Sequence, residues 1–365
     1  MSSSANTSGL WIDQNQPKSF KDLSYHPSIS NCLKRMASSG DFPHFLFFGP
    51  SGAGKRTRAM CFLREVYGAG VDRTRLSHET FETSNNKKVE INLIASNYHL
   101  EINPSDAGIY DRFVIQDLIK TTAQSNQLDA TNQKSFKVIL ISEADNLTKD
   151  AQHALRRTME KYVSSCRLIL IANSVGKVIP ALRSRCQMIR IPAPTVEEAA
   201  KVVHQVSRKE RFSITMETAT RIAESANRNL RVALLKCEVM KLKQTPNPQE
   251  SEFPEAPWES YVRETAAIIL SKQSKEAVLQ IRKRLYCLLE KCIPSQVIFV
   301  ELAKCMIERV DFGFKPVLAR LAAHYETSCN IGDKAIFHLE AFVAKFMHLY
   351  LVYQSEGFCD KLMIE

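Results

Sequence analysis

The chain has 365 residues, of which 44% are hydrophobic and 24% are charged, and its formal net charge at pH 7 is +10. This is the composition of a globular protein with room for two or three domains. No apolar run reaches the ~20 residues that a membrane-spanning helix needs. No charged and then apolar leader opens the chain, so we expect neither a secretory signal nor a membrane partner.

The positive charge is unevenly distributed along the chain. Residues 1–191 carry a net charge of +8, residues 192–243 carry +4 and residues 244–365 carry −2. An excess over the first two thirds is typical of a protein that binds a polyanion, although charge alone fits a merely basic protein equally well. The ten cysteines include no CxxC pair, which predicts reduced thiols in the core rather than zinc ligands or disulfides.

The first informative stretch runs from Phe45 to Thr57, with the sequence FLFFGPSGAGKRT. A short apolar strand leads into a glycine-rich loop that opens a helix, which is the arrangement of a phosphate-binding P-loop. Its glycines allow backbone N–H groups to turn toward phosphate oxygens, and the lysine adds a point charge. The nucleotide-binding residues that we predict are Gly49, Pro50, Ser51, Gly52, Ala53, Gly54, Lys55, Arg56 and Thr57.

One residue of this loop departs from the usual pattern. The position after the lysine normally carries Ser or Thr, whose hydroxyl binds Mg²⁺, but here it is Arg56. Thr57 comes one residue later, and one helical step rotates a side chain by about 100°. Because Thr57 should point away from the metal and Arg56 adds a cation where the metal would lie, we expect a site that handles Mg²⁺ and hydrolysis poorly.

A second motif follows a buried strand in the middle of the chain. Residues in the 70s and 80s show little pattern, and apolar runs then predict two strands and a helix before residue 126. The next apolar run, from Phe136, ends at Ser142, Glu143 and Asp145. At this position a P-loop ATPase places an Asp that holds Mg²⁺ and a Glu that activates water. Ser142 occupies the Asp position and lacks its charge, whereas Glu143 is present.

The α/β pattern continues to residue 191. A helix predicted at 148–162 precedes a strand at 167–172 that ends at Asn173, which either orients a phosphate or water or forms a local turn. The sequence Ser184-Arg185-Cys186 then leads into a last strand at 187–191. Alternating strands and helices predict a three-layer α/β unit with a mostly parallel sheet.

The rest of the chain shows only helical patterns. Three helices are predicted between residues 195 and 243, and about five more follow a proline-rich linker and show no catalytic constellation. The domains that we predict are an α/β P-loop domain at 1–191, a helical lid domain at 192–243, a linker at 244–257 and an all-helical assembly domain at 258–365.

With these motifs in place, the chain resembles the small subunits of replication factor C, the eukaryotic sliding-clamp loader, in the AAA+ family. The resemblance covers nearly the full length, and Ser-Arg-Cys beside a degenerate P-loop is highly specific. The segments that carry it are Gly49–Thr57, Ile139–Leu147, Asp150–Tyr162, Ser184-Arg185-Cys186, Asn229–Arg231 and Lys334–Met347. It implies an AAA+ domain, a lid and a helical collar in a nuclear hetero-pentamer. That complex uses ATP to open the clamp and load it at primer–template junctions, in DNA replication and repair.

The resemblance also implies roles for single residues. Lys55 is similar to the phosphate-binding lysine and Glu143 to the hydrolysis glutamate. Asn173 resembles sensor one and Arg231 resembles sensor two, which reaches the phosphates of the chain's own nucleotide. Arg185 resembles the arginine finger, which acts in trans on the neighbouring subunit's ATP; a fixed guanidinium there stabilises charge on the transferring phosphoryl group. The alternative for Arg185 is a surface ion pair.

Other positions depart from the family pattern. The family's Tyr-Arg-Pro near the adenine is here Asn15-Gln16-Pro17, which predicts weaker nucleotide contacts. The arginines that track DNA in the family correspond to Tyr110 and Gln116, whereas Lys177 resembles a phosphate-contacting lysine. We therefore expect DNA contact mainly through phosphates, which makes it salt-dependent and independent of sequence.

Three hypotheses for the function follow. In the first, the chain binds ATP or ADP without turnover and is not an ATPase by itself. Its Arg185 completes the nucleotide site of the neighbouring subunit. In the second, it is an active DNA-dependent ATPase in which Thr57 and Asp145 replace the missing metal ligands. In the third, it is a stand-alone nucleic-acid-binding protein with a vestigial nucleotide pocket.

Overall fold

The computed structural model describes residues 9–82, 88–124, 136–243, 256–332 and 334–356. The chain divides into two compact units, Met1–Phe253 and Pro254–Glu365. The linker predicted at 244–257 lies outside the described residues except for its last two positions.

The first unit is built on one mixed sheet. Its strands are β1 (Phe45–Phe48), β2 (Arg75–Glu82), β3 (Lys88–Ala95), β4 (His99–Ile102), β5 (Lys137–Ile141), β6 (Cys166–Ala172) and β7 (Gln187–Arg190). Within the described residues the sheet has seven strands in the order β2-β3-β4-β5-β6-β1-β7. The strands from β4 to β7 in this order are parallel, and β3 pairs antiparallel with both β2 and β4.

The mostly parallel sheet that the sequence predicts is therefore confirmed, but strand β2 was missed. Its sequence, RLSHETFE, is largely polar and lies at the edge of the sheet, where most of its described side chains are exposed. An edge strand has no need of a continuous apolar run, so its composition resembles that of a loop.

The central strand β1 shows how the sheet positions the site. Phe45 and Phe47 pack on one face of the sheet and Leu46 on the other, and all three are fully buried. Parallel strands point their carboxyl ends to one edge of a sheet, and ligands bind there in open α/β folds. The P-loop, Ser142 and Asn173 follow β1, β5 and β6, so the topology brings these three segments to the same edge.

Nine α-helices belong to the described part of the first unit. They are α1 (Trp11–Gln14), α2 (Pro27–Ser38), α3 (Lys55–Tyr67), α4 (Asp111–Gln124), α5 (Lys149–Lys161), α6 (Pro180–Arg183), α7 (Val196–Lys209), α8 (Met216–Ser225) and α9 (Leu230–Leu242). Thr148 caps α5, Thr195 and Glu198 form a capping box on α7, and Asn229 caps α9. Caps of this kind satisfy the free N–H groups of a first helical turn and fix where the helix begins.

Helices α7 to α9 share a separate core that includes two aromatic residues from the start of the chain, Trp11 and Tyr25. Helix α1 has only four residues and was not predicted. Its contacts with α9 stabilise it: the N–H of Trp11 donates to Glu238 at 3.3 Å, and Lys241 Nζ lies 4.9 Å from the centre of the Trp11 ring. So short a helix is unstable without such contacts.

The second unit is helical throughout its described residues. Its α-helices are α10 (Pro257–Ser271), α11 (Lys275–Glu290), α12 (Ser295–Ile307), α13 (Lys315–Ile331) and α14 (Ala335–Glu356). Their common core contains Leu285, Phe299, Phe314, Phe342 and Phe346, each no more than 1% exposed. The predicted all-helical C-terminal domain is confirmed.

Helix α14 corrects one expectation from the sequence. By length and composition alone, Ala335–Ser355 is apolar enough to cross a membrane, with a mean hydropathy of 1.4. The expectation that no segment reaches this length was therefore too strict. Leu339, Phe342 and Phe346 are nevertheless fully buried against the other helices of the unit, so a folded core accounts for the apolar face of this helix.

Candidate functional site

Two positions of the P-loop between β1 and α3, Gly52 and Gly54, have no room for any side chain. Gly52 has a φ of +73°, and a Cβ atom there would lie 1.7 Å from Oδ1 of Asn229, the residue that caps α9. Gly54 has a φ of +80°, and its Cβ would lie 2.4 Å from the hydroxyl oxygen of Tyr25. L-residues with side chains rarely adopt such φ values. The loop is thus packed between the lid helices and the start of the chain.

Lys55, the first residue of α3, is 7% exposed and has three oxygen acceptors. Its Nζ donates to the carbonyl oxygens of Gly49 and Pro50 at 2.8 and 2.9 Å and to Oδ1 of Asn173 at 2.7 Å. Burial lowers the pKa of this lysine, and nearby Asp145 opposes the shift. The structure therefore brings together Lys55 and Asn173, which lie 118 residues apart.

Arg56 forms an ion pair that the sequence did not reveal. Its Nε and Nη2 donate to Oε1 and Oε2 of Glu101 on β4 at 2.5 and 2.7 Å. The Glu101 side chain is 9% exposed and the Arg56 side chain is 45% exposed. The hydrogen bonds to Glu101 raise the pKa of Arg56 above its ordinary value. A bidentate pair holds a guanidinium in one orientation, so the residue after the P-loop lysine, which usually carries a metal-binding hydroxyl, is here an arginine directed toward Glu101.

The turn after β5 divides its acidic residues between two environments. Glu143 is exposed, has a φ of +52° that is strained for a residue other than glycine, and accepts a hydrogen bond from Asn146 Nδ2 at 3.0 Å. Asp145 is buried, and its Oδ2 accepts the N–H of Ser174 at 3.3 Å. Within the described residues its Oδ1 has no hydrogen-bond partner. The carboxylate whose charge acts on the pKa of Lys55 is that of Asp145, not that of Glu143.

A cavity of about 730 Å³ opens beside the P-loop. It lies between the start of the chain, the P-loop and the lid, and a volume of this size accommodates a nucleotide. The residues named in the sequence analysis that line it are Asn15, Gln16, Pro17, Gly52, Gly54, Arg56, Thr57 and Arg231. The amide of Asn15 donates to Glu210 of the lid at 2.7 Å, so the segment that replaces the family's Tyr-Arg-Pro is fixed by a contact of its own.

Arg58 was not singled out by the sequence and is the largest fully buried side chain of the described residues. Its Nη2 donates to the carbonyl oxygen of Tyr25 at 2.7 Å, and its guanidinium lies 4.4 Å from the centre of the Tyr25 ring. The Tyr25 hydroxyl in turn donates to the carbonyl oxygen of Ala53 at 3.1 Å. The buried Arg58 cation thus packs on the Tyr25 ring, and Tyr25 in turn bonds to the P-loop at Ala53.

Among the described residues, the other predicted site residues lie outside the lining of this cavity: Gly49, Pro50, Ser51, Ala53, Lys55, Glu143, Asn173, Lys177 and Arg185. Arg185 is half-buried and pairs with Glu160 at the end of α5, with Nε to Oε1 at 2.6 Å. Lys177 is exposed, and its carbonyl oxygen accepts a hydrogen bond from the buried side chain of Gln152 at 3.1 Å. The side chain of Arg185 and the backbone of Lys177 are therefore held at the surface by these contacts.

The sheet order, the P-loop after its central strand and the helical lid define a nucleotide-binding AAA+ protein. Three family models match the chain. Residues 25–195 match "DNA polymerase III, delta subunit", residues 201–242 match "RCF1/5-like, AAA+ ATPase lid domain" and residues 258–363 match "Replication factor C subunit 3, C-terminal domain". Together these models span most of both units.

Named relatives agree with the family models. Replication factor C subunit 3 of Mus musculus is 52% identical over 95% of this chain and 98% of its own length. Subunit 5 of Neurospora crassa is 45% identical over 94% and 98%, and subunit 3 of Arabidopsis thaliana is 41% identical over 93% and 97%. The chain therefore belongs to the replication factor C family, in the group of subunits named 3 or 5, and is a clamp-loader subunit. This membership implies other replication factor C subunits and a sliding clamp as partners.

The residues of the site suit a nucleotide but do not suit the Mg²⁺ ion that usually accompanies it. The cavity volume, the close-packed glycines and buried Lys55 suit the phosphates of a nucleotide. The two usual metal-binding positions instead carry the guanidinium of Arg56, already paired with Glu101, and the hydroxyl of Ser142. A guanidinium cannot ligate a cation and a hydroxyl supplies no charge, so this donor set does not fit Mg²⁺.

Proposed function

We propose that this chain binds an adenine nucleotide, ATP or ADP, with little or no hydrolysis, and that Arg185 acts in trans on the ATP of a neighbouring clamp-loader subunit. The single observation that carries the proposal is the bidentate Arg56–Glu101 pair. It supports a pocket in which a protein cation stands in the place of a metal ligand. The pocket therefore holds phosphates but lacks a means to position a divalent ion.

We infer the following roles for residues in and beside this pocket, and their contacts support them. Lys55 supplies positive charge to the outer phosphates, and Asn173 orients its ammonium group through their 2.7 Å hydrogen bond. Arg231 lies at the lid side of the cavity and reaches the phosphates as sensor two. Glu143, held by Asn146, is the hydrolysis glutamate by position and is silent here, since no metal-bound triphosphate is prepared for attack.

The outward role rests on Arg185. Its guanidinium is partly exposed at the surface of the first unit, with a side-chain exposure of 32%. A neighbouring subunit can approach it there, and a fixed guanidinium beside a γ-phosphate stabilises the charge that develops during transfer. The complex that we propose is a nuclear hetero-pentamer that loads the clamp at primer–template junctions in replication and repair. It contacts DNA through phosphates, with Lys177 among the contacting residues.

The test compares the two sites in the reconstituted complex. Arg185→Ala should lower the clamp- and DNA-stimulated ATPase rate about tenfold or more, because one catalytic guanidinium is lost from a neighbour's site. Lys55→Ala should change the rate less than about twofold, because a pocket without turnover adds nothing to the total. Arg183→Ala, which removes an arginine two residues away, is the matched control and should leave the rate unchanged.

Equal losses in the Lys55 and Arg185 variants would overturn the proposal. A second candidate function, an active ATPase in its own right, is favoured by one observation: Asp145 is buried near Lys55 and has an oxygen without a described partner. Hydrolysis of ATP by the chain alone, with a magnesium optimum and loss of activity in Asp145→Asn, would establish that function instead.

A further inference from the structure

We propose that Glu160 is a positioning residue that holds the guanidinium of Arg185 in the orientation needed by the neighbouring subunit. This inference rests on the proposed trans role of Arg185. It concerns how the arginine is presented, and Glu160 itself need not touch the nucleotide.

The contacts between the two side chains are close and specific. Arg185 Nε donates to Oε1 of Glu160 at 2.6 Å, and Arg185 Nη2 lies 2.5 Å from the same oxygen. On the other edge of the guanidinium, Nη1 donates to the carbonyl oxygen of Ala181 at 2.9 Å and to the hydroxyl of Ser184 at 3.3 Å. Every nitrogen of the group thus has an acceptor, and one N–H of Nη2 remains for a ligand from outside.

The backbone at Arg185 is fixed independently of this pair. The next residue, Cys186, is 9% exposed, and burial raises the pKa of its thiol to about 12, so it remains an apolar anchor. The N–H of Gln187 then donates to the carbonyl oxygen of His44 at 2.7 Å at the start of β7. With the main chain held, only the side-chain torsions of Arg185 are left free, and these are what Glu160 restricts.

Glu160 is itself held in place on a packed helix. It lies in the last turn of α5, one residue after Met159 and five after Leu155, which are both buried in the core. Arg156 Nε approaches the same Glu160 oxygen at 3.8 Å from one turn earlier. The carboxylate is 51% exposed, so a docking neighbour can reach the pair without unfolding it.

The benefit of this arrangement is orientation and not charge. A free arginine side chain samples many rotamers, and fixing it on docking costs conformational entropy that a preformed contact removes in advance. The negative charge of Glu160 partly offsets the positive potential of Arg185, so charge alone would oppose catalysis. A neutral acceptor of the same shape should therefore retain most of the function.

The experiment uses the reconstituted complex and steady-state ATPase kinetics with clamp and DNA. Glu160→Ala should lower kcat about fivefold with little change in KM, because the substrate still binds but the guanidinium is misplaced in the transition state. Glu160→Gln should stay within about twofold of the native rate, because its amide oxygen still accepts from Arg185. Asp41→Ala breaks another exposed pair of the same unit, Arg167–Asp41 at 2.9 Å, and serves as the matched control with no loss.

The combined variants distinguish the two levels of the proposal. Glu160→Ala added to Arg185→Ala should cause no further loss, because Glu160 acts through Arg185 alone. If Arg185→Ala itself has no effect, the proposed trans role fails. If Arg185→Ala is impaired but Glu160→Ala is normal or faster, the trans role stands and the positioning role of Glu160 is overturned. Gel filtration of each complex checks that assembly is unchanged.

Discussion

Two arginine–carboxylate pairs in the same unit, Arg56–Glu101 and Arg185–Glu160, have similar lengths but differ in the burial of their carboxylates. In both, two guanidinium nitrogens contact one carboxylate at 2.5 to 2.7 Å. The Glu101 side chain is 9% exposed on a strand of the sheet, whereas the Glu160 side chain is 51% exposed at the end of a helix. The carboxylate of the first pair is therefore buried and that of the second is exposed, whereas both arginines are partly exposed, Arg56 at 45% and Arg185 at 32%.

In our proposal, this difference separates an arginine with a structural use, Arg56, from one with a catalytic use, Arg185. Removing one member of a buried pair leaves an uncompensated charge in a medium of low dielectric constant, so the pair is locked. An exposed pair exchanges readily with water or with another anion, so its arginine remains available. In our proposal, a buried carboxylate holds the cation of the chain's own pocket, and an exposed carboxylate that a neighbour can reach orients the cation offered to that neighbour.

The largest effect should come from truncating Arg56, the partner of the buried carboxylate. Arg56→Met leaves Glu101 buried without its partner and should reduce the free energy of unfolding by about 3 kcal/mol. Arg185→Met, the matched change at the surface, should reduce it by less than about 0.5 kcal/mol. Urea denaturation of the full chain, followed by circular dichroism, measures both values.

A double substitution controls for the loss of packing. In Arg56→Met combined with Glu101→Met, no buried charge is left alone, so most of the lost stability should return, to within about 1 kcal/mol of the native chain. If the loss of stability in the double variant equals the sum of the losses in the two single variants, Arg56 does not compensate the buried charge of Glu101. The distinction between the two pairs would then be wrong.

Acid should reduce the free energy of unfolding by an amount of similar size, through the buried histidine His44. His44 is buried, its Nδ1 accepts the N–H of Leu168 at 3.0 Å, and burial lowers its pKa from 6.5 to about 4. Between pH 6.5 and about 4, His44 is therefore protonated in the unfolded chain but neutral in the folded chain. The contribution, up to about 3 kcal/mol, is present above pH 6.5 and is lost as the pH falls toward 4.

Two histidine variants isolate this effect. The unfolding free energy of His44→Asn should vary less between pH 7 and pH 4.5 than that of the native chain, because the titrating ring is gone. His153→Gln, which replaces an exposed histidine on α5, should retain the native pH dependence. A native dependence in His44→Asn would show that other groups control the acid response.

The parts of the site that follow one another in sequence could be predicted, and the parts that meet only in the fold could not. The P-loop and the strand before it are adjacent, so spacing and composition were enough to place Gly49 to Thr57. Glu101 lies 45 residues from Arg56, and only the order of the strands brings β4 near the start of α3. The sequence therefore revealed the unusual Arg56 but not the carboxylate that holds it.

The same limit applies to helix α1, strand β2 and Arg58. Helix α1 depends on packing against the lid, and β2 on pairing with β3 at the sheet edge, so neither has a strong local pattern. Arginine is a residue type usually found at the surface, and the complete burial of Arg58 depends on its contact with Tyr25, 33 residues earlier in the chain. Long polar side chains that the fold buries are predicted poorly because propensity favours their exposure.

The smallest expected effect is the salt dependence of the surface pair, measured by a double-mutant cycle on unfolding of the full chain. In 50 mM salt, the coupling between Arg185 and Glu160 should be about 0.5 kcal/mol, and at 1 M salt, where the Debye length is about 3 Å, it should approach zero. The coupling of Arg56 with Glu101 should change less, because the Glu101 side chain is only 9% exposed and is less accessible to solvent ions. Equal salt sensitivity of both pairs would contradict the distinction. A weak pair in the free chain is compatible with a fivefold effect on kcat, since a docked neighbour excludes water and strengthens the same contact at the moment when orientation matters.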